Sequence, residues 1–421
     1  MGARPRLLLL LPSTTYRAAA FVEAARRLDV ELTVGTDHRS VFAASQPERY
    51  LSLDFADRGR AAAQAAEFAA RHPVAAVVGV DDDTAVLASA VAAALGLSHN
   101  PLAATLAARN KLEQRSALAA AGVPVPGFEA HGLDEDPRSV AAAVSYPCVV
   151  KPLCLAASRG VIRADGPAAF VAAHRVLASI LSEADVAARG AESRRYLVEA
   201  FVPGPEVALE GVLEGGQLRV LALFDKPDPL DGPYFEETIY VTPSRLEAQV
   251  QRALAGCAAA AARALGLACG PVHVELRHNE RGPWLIELAA RSIGGRCSQV
   301  LRFGDGDPAA SLEELLLRHA LGLPVPTWER EAAAAGVMMI PVPGAGVLRG
   351  VRGVDAARRV PGVEDVVITA HVGQRLEPLP HGSRYPGFIF ARAASPQDAE
   401  SALRRAHACL AFDLAAEGKG D

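Results

Sequence analysis

Apolar positions along the first hundred residues follow two alternating patterns. "RLLLLLP" from Arg6, "VELTVGTD" from Val30 and "VAAVVGV" from Val74 are short apolar or alternating runs that read as strands. Between and after them, "TYRAAAFVEAARRL", "RAAAQAAEFAARH" and "DTAVLASAVAAALGL" carry helical spacing. Strands that alternate with helices predict a parallel α/β sheet. Asp81, Asp82 and Asp83 follow the third strand at its carboxyl end, the edge where open α/β sheets bind ligands. Their ordinary explanation is N-capping of the next helix and exposure to water.

The pattern breaks at "HNPLAA", which sets a first boundary near residue 100. "ATLAARNKLEQRSALAAAG" then reads as one helix ended by Gly122. "YPCVVKPLCLAASRGVIRAD" reads as strand, loop and strand, and "FVAAHRVLASILSEADVAA" as a helix. Successive strands follow in "RRYLVEAFVPGPEVALEGVLEGGQLRVLALFDKP", with turns at Pro203-Gly204 and Gly215-Gly216. A long helix precedes "VHVELRHNERGPWLIELAARSIGG", which predicts a hairpin turning at "HNERG". Short strands and helices fill the chain from about residue 332. The expected organisation is residues 1–100, 101–330 (with a lid subdomain at about 125–200) and 331–421.

Composition narrows the class. The 421 residues are 50% hydrophobic and 22% charged, as in ordinary globular proteins. A formal net charge of −5 leaves no basic footprint, so no nucleic-acid partner is expected. Six cysteines lack a CxxC pair and read as reduced core residues. Arg4 and Arg6 before five leucines imitate the start of a signal peptide, but the run stops at Pro12 and helical spacing follows. A first buried strand, no membrane partner and a cytoplasmic setting are the expectations.

Chemistry concentrates between residues 110 and 295. Lys111 opens a helix, and Lys151 ends the apolar strand "CVVKP" before the small-residue loop "LAASRG". Such a lysine and loop can hold phosphates by charge and backbone N–H groups. Glu206, after a Pro-Gly-Pro turn, can accept bonds from ribose hydroxyls, and the backbone of "EAFV" offers donors and acceptors to an adenine edge. Glu275 and Glu287 lie in two apolar strands, twelve residues apart across the turn. A carboxylate in such a strand needs a partner or a metal. A hairpin sets these two side by side as hard oxygen ligands for Mg²⁺. Arg291 can bind a carboxylate or phosphate in bidentate fashion, with Gly294 and Gly295 letting backbone approach. Each feature alone has an ordinary explanation as a surface charge or ion-pair member; their common order is the signal.

With these residues in view, "RNKLEQRSALAAAGVPVP", "YPCVVKP", "YLVEAFVPGPEVALEG", "HVELR" and "LIELAARSIGG" resemble the ATP-grasp superfamily of carboxylate–amine ligases. The tail from "PVPGAGVLRG" to "GFIFARA", and "FDKPDPLDGPYFEETIYVTPSRL", are similar to the L-amino-acid ligase branch. The resemblance implies a Rossmann-like first domain, an α+β grasp core and a small α+β C-terminal domain. It also implies ATP with Mg²⁺ (or Mn²⁺), small-molecule carboxylate and amine substrates, and a homodimer. Carried over by position, Lys111 and Lys151 meet ATP phosphates, while Glu199 with the backbone of Ala200 and Val202 meets adenine. Glu206 holds ribose, Lys226 is a further nucleotide contact, and Glu275 and Glu287 bind the metal. Arg291, with Lys151, serves the acyl phosphate. One position departs: many members carry Glu-x-Asn after the second strand, and here the third residue is Ala289. Tyr234, Phe235 and Glu236 are candidates for the pocket wall, with a hydrophobic anchor and a solvated carboxylate as the equal alternative. His273 shares the strand face of Glu275 and reads first as a satisfied structural histidine and second as a residue at the site's border. Competing expectations are a biotin-carboxylase-like or purine-pathway ATP-grasp enzyme, and a non-catalytic nucleotide-binding protein.

Overall fold

The leucine run at the start does fold as a strand, Arg6–Leu10, at the centre of the first sheet. The computed structural model describes residues 4–415 apart from 13, 14, 16, 39, 44 and 307. The first sheet is parallel, in the order Tyr50–Ser52, Glu31–Thr36, Arg6–Leu10, Ala76–Gly79. Alternate leucines serve opposite faces. Leu7 and Leu9 pack with Phe21 and Ala24, whereas Leu8 and Leu10 pack with Ala61, Ala65, Leu87 and Val91. A strand covered on both faces must be apolar throughout, which explains a run that breaks the two-residue alternation. Tyr50–Ser52 was not anticipated; it is three residues long with every position only half-buried, too short for a period.

After Ala76–Gly79 the chain turns sharply into the helix Asp82–Ala94. A Cβ on Gly79 would meet the Thr84 carbonyl oxygen at 2.3 Å, so only glycine allows this closeness. Asp81 caps the helix by accepting from Thr84 N at 2.8 Å, as the capping explanation expects. Asp82 and Asp83 find other partners, described below.

The helix expected from residue 104 to its end at Gly122 is two helices, Leu102–Arg109 and Lys111–Ala120. Asn110 between them is extended, and its side-chain oxygen accepts from Leu112 N and Glu113 N at 3.0 and 3.3 Å. An asparagine that caps the following turn outweighs the helical periodicity across it. This places Lys111 at the first turn of a helix.

A four-stranded antiparallel sheet follows, in the order Phe128–Gly132, Arg195–Ala200, Cys148–Pro152, Ile162–Ala164. Helix Pro167–Leu181 packs against it through Phe170, Ala173 and Leu177. The largest sheet has eight strands. Its order is Gly282–Ala289, Gly270–Asn279, Glu206–Glu214, Gln217–Lys226, Ile239–Thr242, Ala334–Met339, Gly387–Ala393, Val363–Ile368. Helix Ala248–Ala264 covers one end and Pro396–Ala408 the other. The C-terminal segment adds three strands to this sheet, where Ala334–Met339 pairs with Ile239–Thr242, and its strands Gly346–Arg352, Arg375–Leu376 and Ala411–Ala415 form a separate three-stranded sheet. Mixed α/β architecture is therefore the observed class. All six cysteines are free. Among the described residues, no helix is long and apolar enough to cross a membrane.

Candidate active site

All parts of the fold meet at one cavity of about 550 Å³. Asp82 comes from the first sheet's edge, Lys111 from the second helix after residue 100, and Lys151 with Ala156 to Ser158 from the strand Cys148–Pro152 and the loop after it. Glu206, Glu275, Glu287 and Arg291 come from the large sheet, and Ser383 and Tyr385 from the C-terminal segment. A hollow of about 760 Å³ against helix Ala18–Arg27 is larger, but none of the residues singled out in the sequence lines it.

The hairpin forms in the expected register, with Glu275 opposite Glu287. Directly opposite residues of an antiparallel pair share a face, so both carboxylates reach the cavity. Glu287 Oε1 meets Lys111 Nζ at 3.1 Å, and Lys111 Nζ also donates to the Leu155 carbonyl at 2.9 Å. Burial pushes the Glu287 carboxyl up, but Lys111 and Lys151 outweigh it and hold the group at about 2. Glu287 is thus an anion throughout the physiological range.

Lys151 Nζ lies 2.6 Å from Glu199 Oε2, and Arg115 Nε donates to Glu199 Oε1 at 2.7 Å. Arg115 also donates to the Ile286 carbonyl. Burial pulls Lys151 down to about 8, against the pull of Glu199. The Glu199 carboxyl is lowered, because Arg115 and Lys151 outweigh its own burial.

Lys226 Nζ sits among three carboxylates, with Glu237 Oε1 at 2.6 Å, Glu206 Oε1 at 2.8 Å and Glu275 Oε1 at 3.4 Å. Those three glutamates offer oxygens within 4.8 Å of one another, and the ammonium is the cation among them. Burial opposes that charge, yet the carboxylates hold Lys226 well above its ordinary value. Glu206 is completed by Arg277 Nε at 2.9 Å.

Arg291 is held by Asp82 through two bonds of 3.1 Å, Nε to Oδ1 and Nη2 to Oδ2. The next residue is fixed as well: Arg17 donates to the Ser292 hydroxyl at 2.7 Å and to the Ser292 carbonyl at 3.3 Å. Asp83 pairs instead with Arg109 and Arg189.

Of the residues singled out, Lys111, Lys151, Glu206, Glu275, Glu287 and Arg291 line the cavity; Glu199, Ala200, Val202 and Lys226 do not. The Glu199 carboxylate pairs with two cations, Arg115 and Lys151, and orients Lys151 here. Ala200 N donates to the Gly127 carbonyl at 2.8 Å, and the Val202 carbonyl accepts from Arg277 at 2.7 Å. Phe235 lines the cavity, while Glu236 accepts from Val342 N at 3.1 Å and Tyr234 is exposed. His273 does border the site. Sequence reasoning missed Glu237 and Asp82 as partners of the site's cations, along with Arg115, Arg277 and Arg17. Glu237 had one available signal, a second carboxylate in the "FEET" segment beside the lysine-bearing strand.

The donor set fits a divalent cation with nucleotide phosphates. Among the glutamates of the cavity, Glu287 and Glu275 are the most open, with side chains 34% and 22% exposed against 18% for Glu237 and 8% for Glu206. Two half-open carboxylates beside paired ammonium groups match the Mg²⁺ preference for few carboxylates plus phosphate oxygens. Ala289 lines the cavity without a ligand oxygen.

Comparison with known proteins agrees with this geometry. Residues 144–300 match the ATP-grasp domain, and residues 338–415 match the L-amino acid ligase C-terminal domain 2. The chain thus contains an ATP-grasp domain followed by a segment that matches the L-amino acid ligase C-terminal domain 2. It superposes on the L-amino acid ligase of Bacillus licheniformis with a TM-score of 0.83 at 26% identity, covering 99% of this chain and 100% of that one. An uncharacterized protein, y4rH, of Sinorhizobium fredii is 30% identical over 70% of this chain and 59% of its own length. Alanine–anticapsin ligase of Bacillus subtilis is 28% identical over 48% of this chain and 44% of its own. The chain thus spans about half the length of these curated relatives.

Proposed function

We propose that the protein is an ATP-dependent carboxylate–amine ligase that joins two amino acids, or an amino acid and a small acid, through an amide bond. The observation that carries this reading is the facing of Lys111, Lys151 and Arg291 with Glu275 and Glu287 in one cavity. A substrate carboxylate oxygen attacks the γ-phosphorus of ATP, and ADP leaves. The amine nitrogen then attacks the acyl carbon, phosphate departs with the C–O bonding pair, and the amine proton passes to solvent. Such chemistry needs positioning and charge neutralisation more than a protein nucleophile. Lys111 and Lys151 hold phosphate oxygens, and Arg291 stabilises charge on the acyl phosphate. Glu275 and Glu287 would hold Mg²⁺, or Mn²⁺ in its place, which supplies further neutralisation of the phosphates. Lys226, Glu199, Ala200 and Val202 act one layer out, as the frame of the nucleotide side. Glu206 takes the ribose hydroxyls.

A homodimer and a cytoplasmic setting belong to the same reading, checked by sedimentation and by cell fractionation. The decisive assay incubates the protein with ATP, Mg²⁺ and pooled amino acids while ADP and phosphate are followed. Release that depends on a particular amino-acid pair supports the ligase. ADP release that depends on bicarbonate instead would favour the carboxylase alternative, and nucleotide binding without turnover under every mixture the non-catalytic one.

A further inference from the structure

Glu210 lies in the strand Glu206–Glu214, beside the hairpin, and nothing above gives it a task. It is completely buried, where an acidic side chain is costly unless its oxygens are used. Register places it directly opposite His273, which in turn lies opposite Ala289. Glu210 Oε2 accepts from Ile293 N at 2.9 Å and faces His273 Nδ1 at 3.3 Å. The other nitrogen of that ring, Nε2, lies 3.7 Å from Glu275 Oε1. Glu210 Oε1 has no hydrogen-bond partner. One buried oxygen therefore touches both halves of the site: the loop that carries Arg291, two residues before Ile293, and the ring that backs Glu275.

We propose that Glu210 is a positioning residue for the ligase reaction, fixing the Arg291 loop through the Ile293 N–H and the Glu275 carboxylate through His273. The inference rests on the ligase reading given above. It assigns Glu210 the work of an acceptor: the hydrogen bond to Ile293 sets where the guanidinium sits, and the contact with His273 sets the ring plane behind Glu275. Outer partners of this kind typically change metal affinity or activity by about 10–100-fold when removed.

The test compares Glu210→Met, which keeps length but removes the acceptor, with Glu210→Gln, whose amide oxygen can still accept from Ile293. Glu210→Met is expected to lower kcat about tenfold or more and to weaken Mg²⁺·ATP binding by about threefold or more, and Glu210→Gln to recover most of both losses. Full kcat in Glu210→Met, or equal damage in both variants, overturns the proposal. A loss that only follows the fraction of molecules able to bind nucleotide overturns it too. Should Glu210→Met fail to fold, His273→Asn carries the second branch, since it removes the atom that faces Glu275. Calorimetry should then show weaker binding of Mg²⁺·ATP by about threefold or more, and unchanged binding refutes the His273 link. That binding comparison needs no turnover. A wild-type protein inactive with every amino-acid pair would sink the ligase reading alone.

Discussion

Arg291 and Asp82 form a two-bond ion pair that joins the loop after the hairpin to the edge of the first sheet, 209 residues apart in the chain. Burial opposes the guanidinium's charge, and Asp82 more than restores it. The segment that follows the first sheet thus reaches the cavity directly. Arg291→Ala should lower kcat by about 10²-fold or more, as loss of a charge-stabilising donor does. Asp82→Asn keeps the guanidinium but loosens its aim, and a smaller loss of about tenfold is expected. Steady-state phosphate release under saturating substrates separates the two; equal losses would mean that Asp82 does more than orient.

Lys151 supplies a pH signature. Its ammonium titrates at about 8, lowered by burial in the absence of phosphate. Phosphate binding favours the charged form, so apparent ATP affinity should fall as pH rises through 8. Between pH 7 and 9 the expected weakening is about tenfold, because a group one unit above its pKa is mostly neutral. Titration calorimetry across that range measures it, and Lys151→Met should bind weakly with no such slope.

Arg115 is the stability test for the same cluster. It is 1% exposed, and its removal leaves Glu199 with Lys151 alone. Breaking a buried pair from one side costs about 3–5 kcal/mol, so Arg115→Met should shift the denaturant midpoint accordingly. A shift under about 1 kcal/mol would show that Lys151 suffices.

His174 gives the lid subdomain an acid sensitivity. Its ring packs edge-on to Tyr196 at 5.2 Å between centroids, and burial lowers its pKa below 6.5. The unfolded chain then binds the proton more readily than the folded one. Stability attributable to this group is full above about pH 6.5 and falls as pH drops, by at most about 1.4 kcal/mol per unit. His174→Phe should flatten that part of the pH–stability curve, read as the difference between wild-type and variant melting temperatures.

Much of the fold and part of the site could be read from local pattern. The alternating strands and helices at the start, the Glu275–Glu287 register and the strand-end place of Lys151 all depend on neighbours within some twenty residues. What escaped depends on distant partners. Glu199 looks like an exposed acceptor until Arg115, 84 residues earlier, is found against it. Asp82 looks like one of three capping aspartates until the fold brings Arg291 to it. Asn110 shows the reverse case, a local cap that overrides a periodicity legible over nineteen residues. The boundary expected at residue 331 follows the change to short, turn-rich segments, and the pairing of Ile239–Thr242 with Ala334–Met339 spans it.

That continuity constrains anyone who would cut or recombine this chain. The strand Ala334–Met339 is buried at every position and pairs with both Ile239–Thr242 and Gly387–Ala393. Ending the chain near 330 would leave the buried four-residue strand Ile239–Thr242 as an unpaired edge and remove Ser383 and Tyr385 from the cavity wall. It would also strip the lid of its dock, where Gly160 N donates to the Pro380 carbonyl at 3.0 Å and Arg159 to the His381 carbonyl at 3.1 Å. Chimeras meant to trade substrate preference should therefore exchange everything from residue 128 onward as one cassette, which keeps the eight-stranded sheet and both sides of the Gly160–Pro380 contact from a single source.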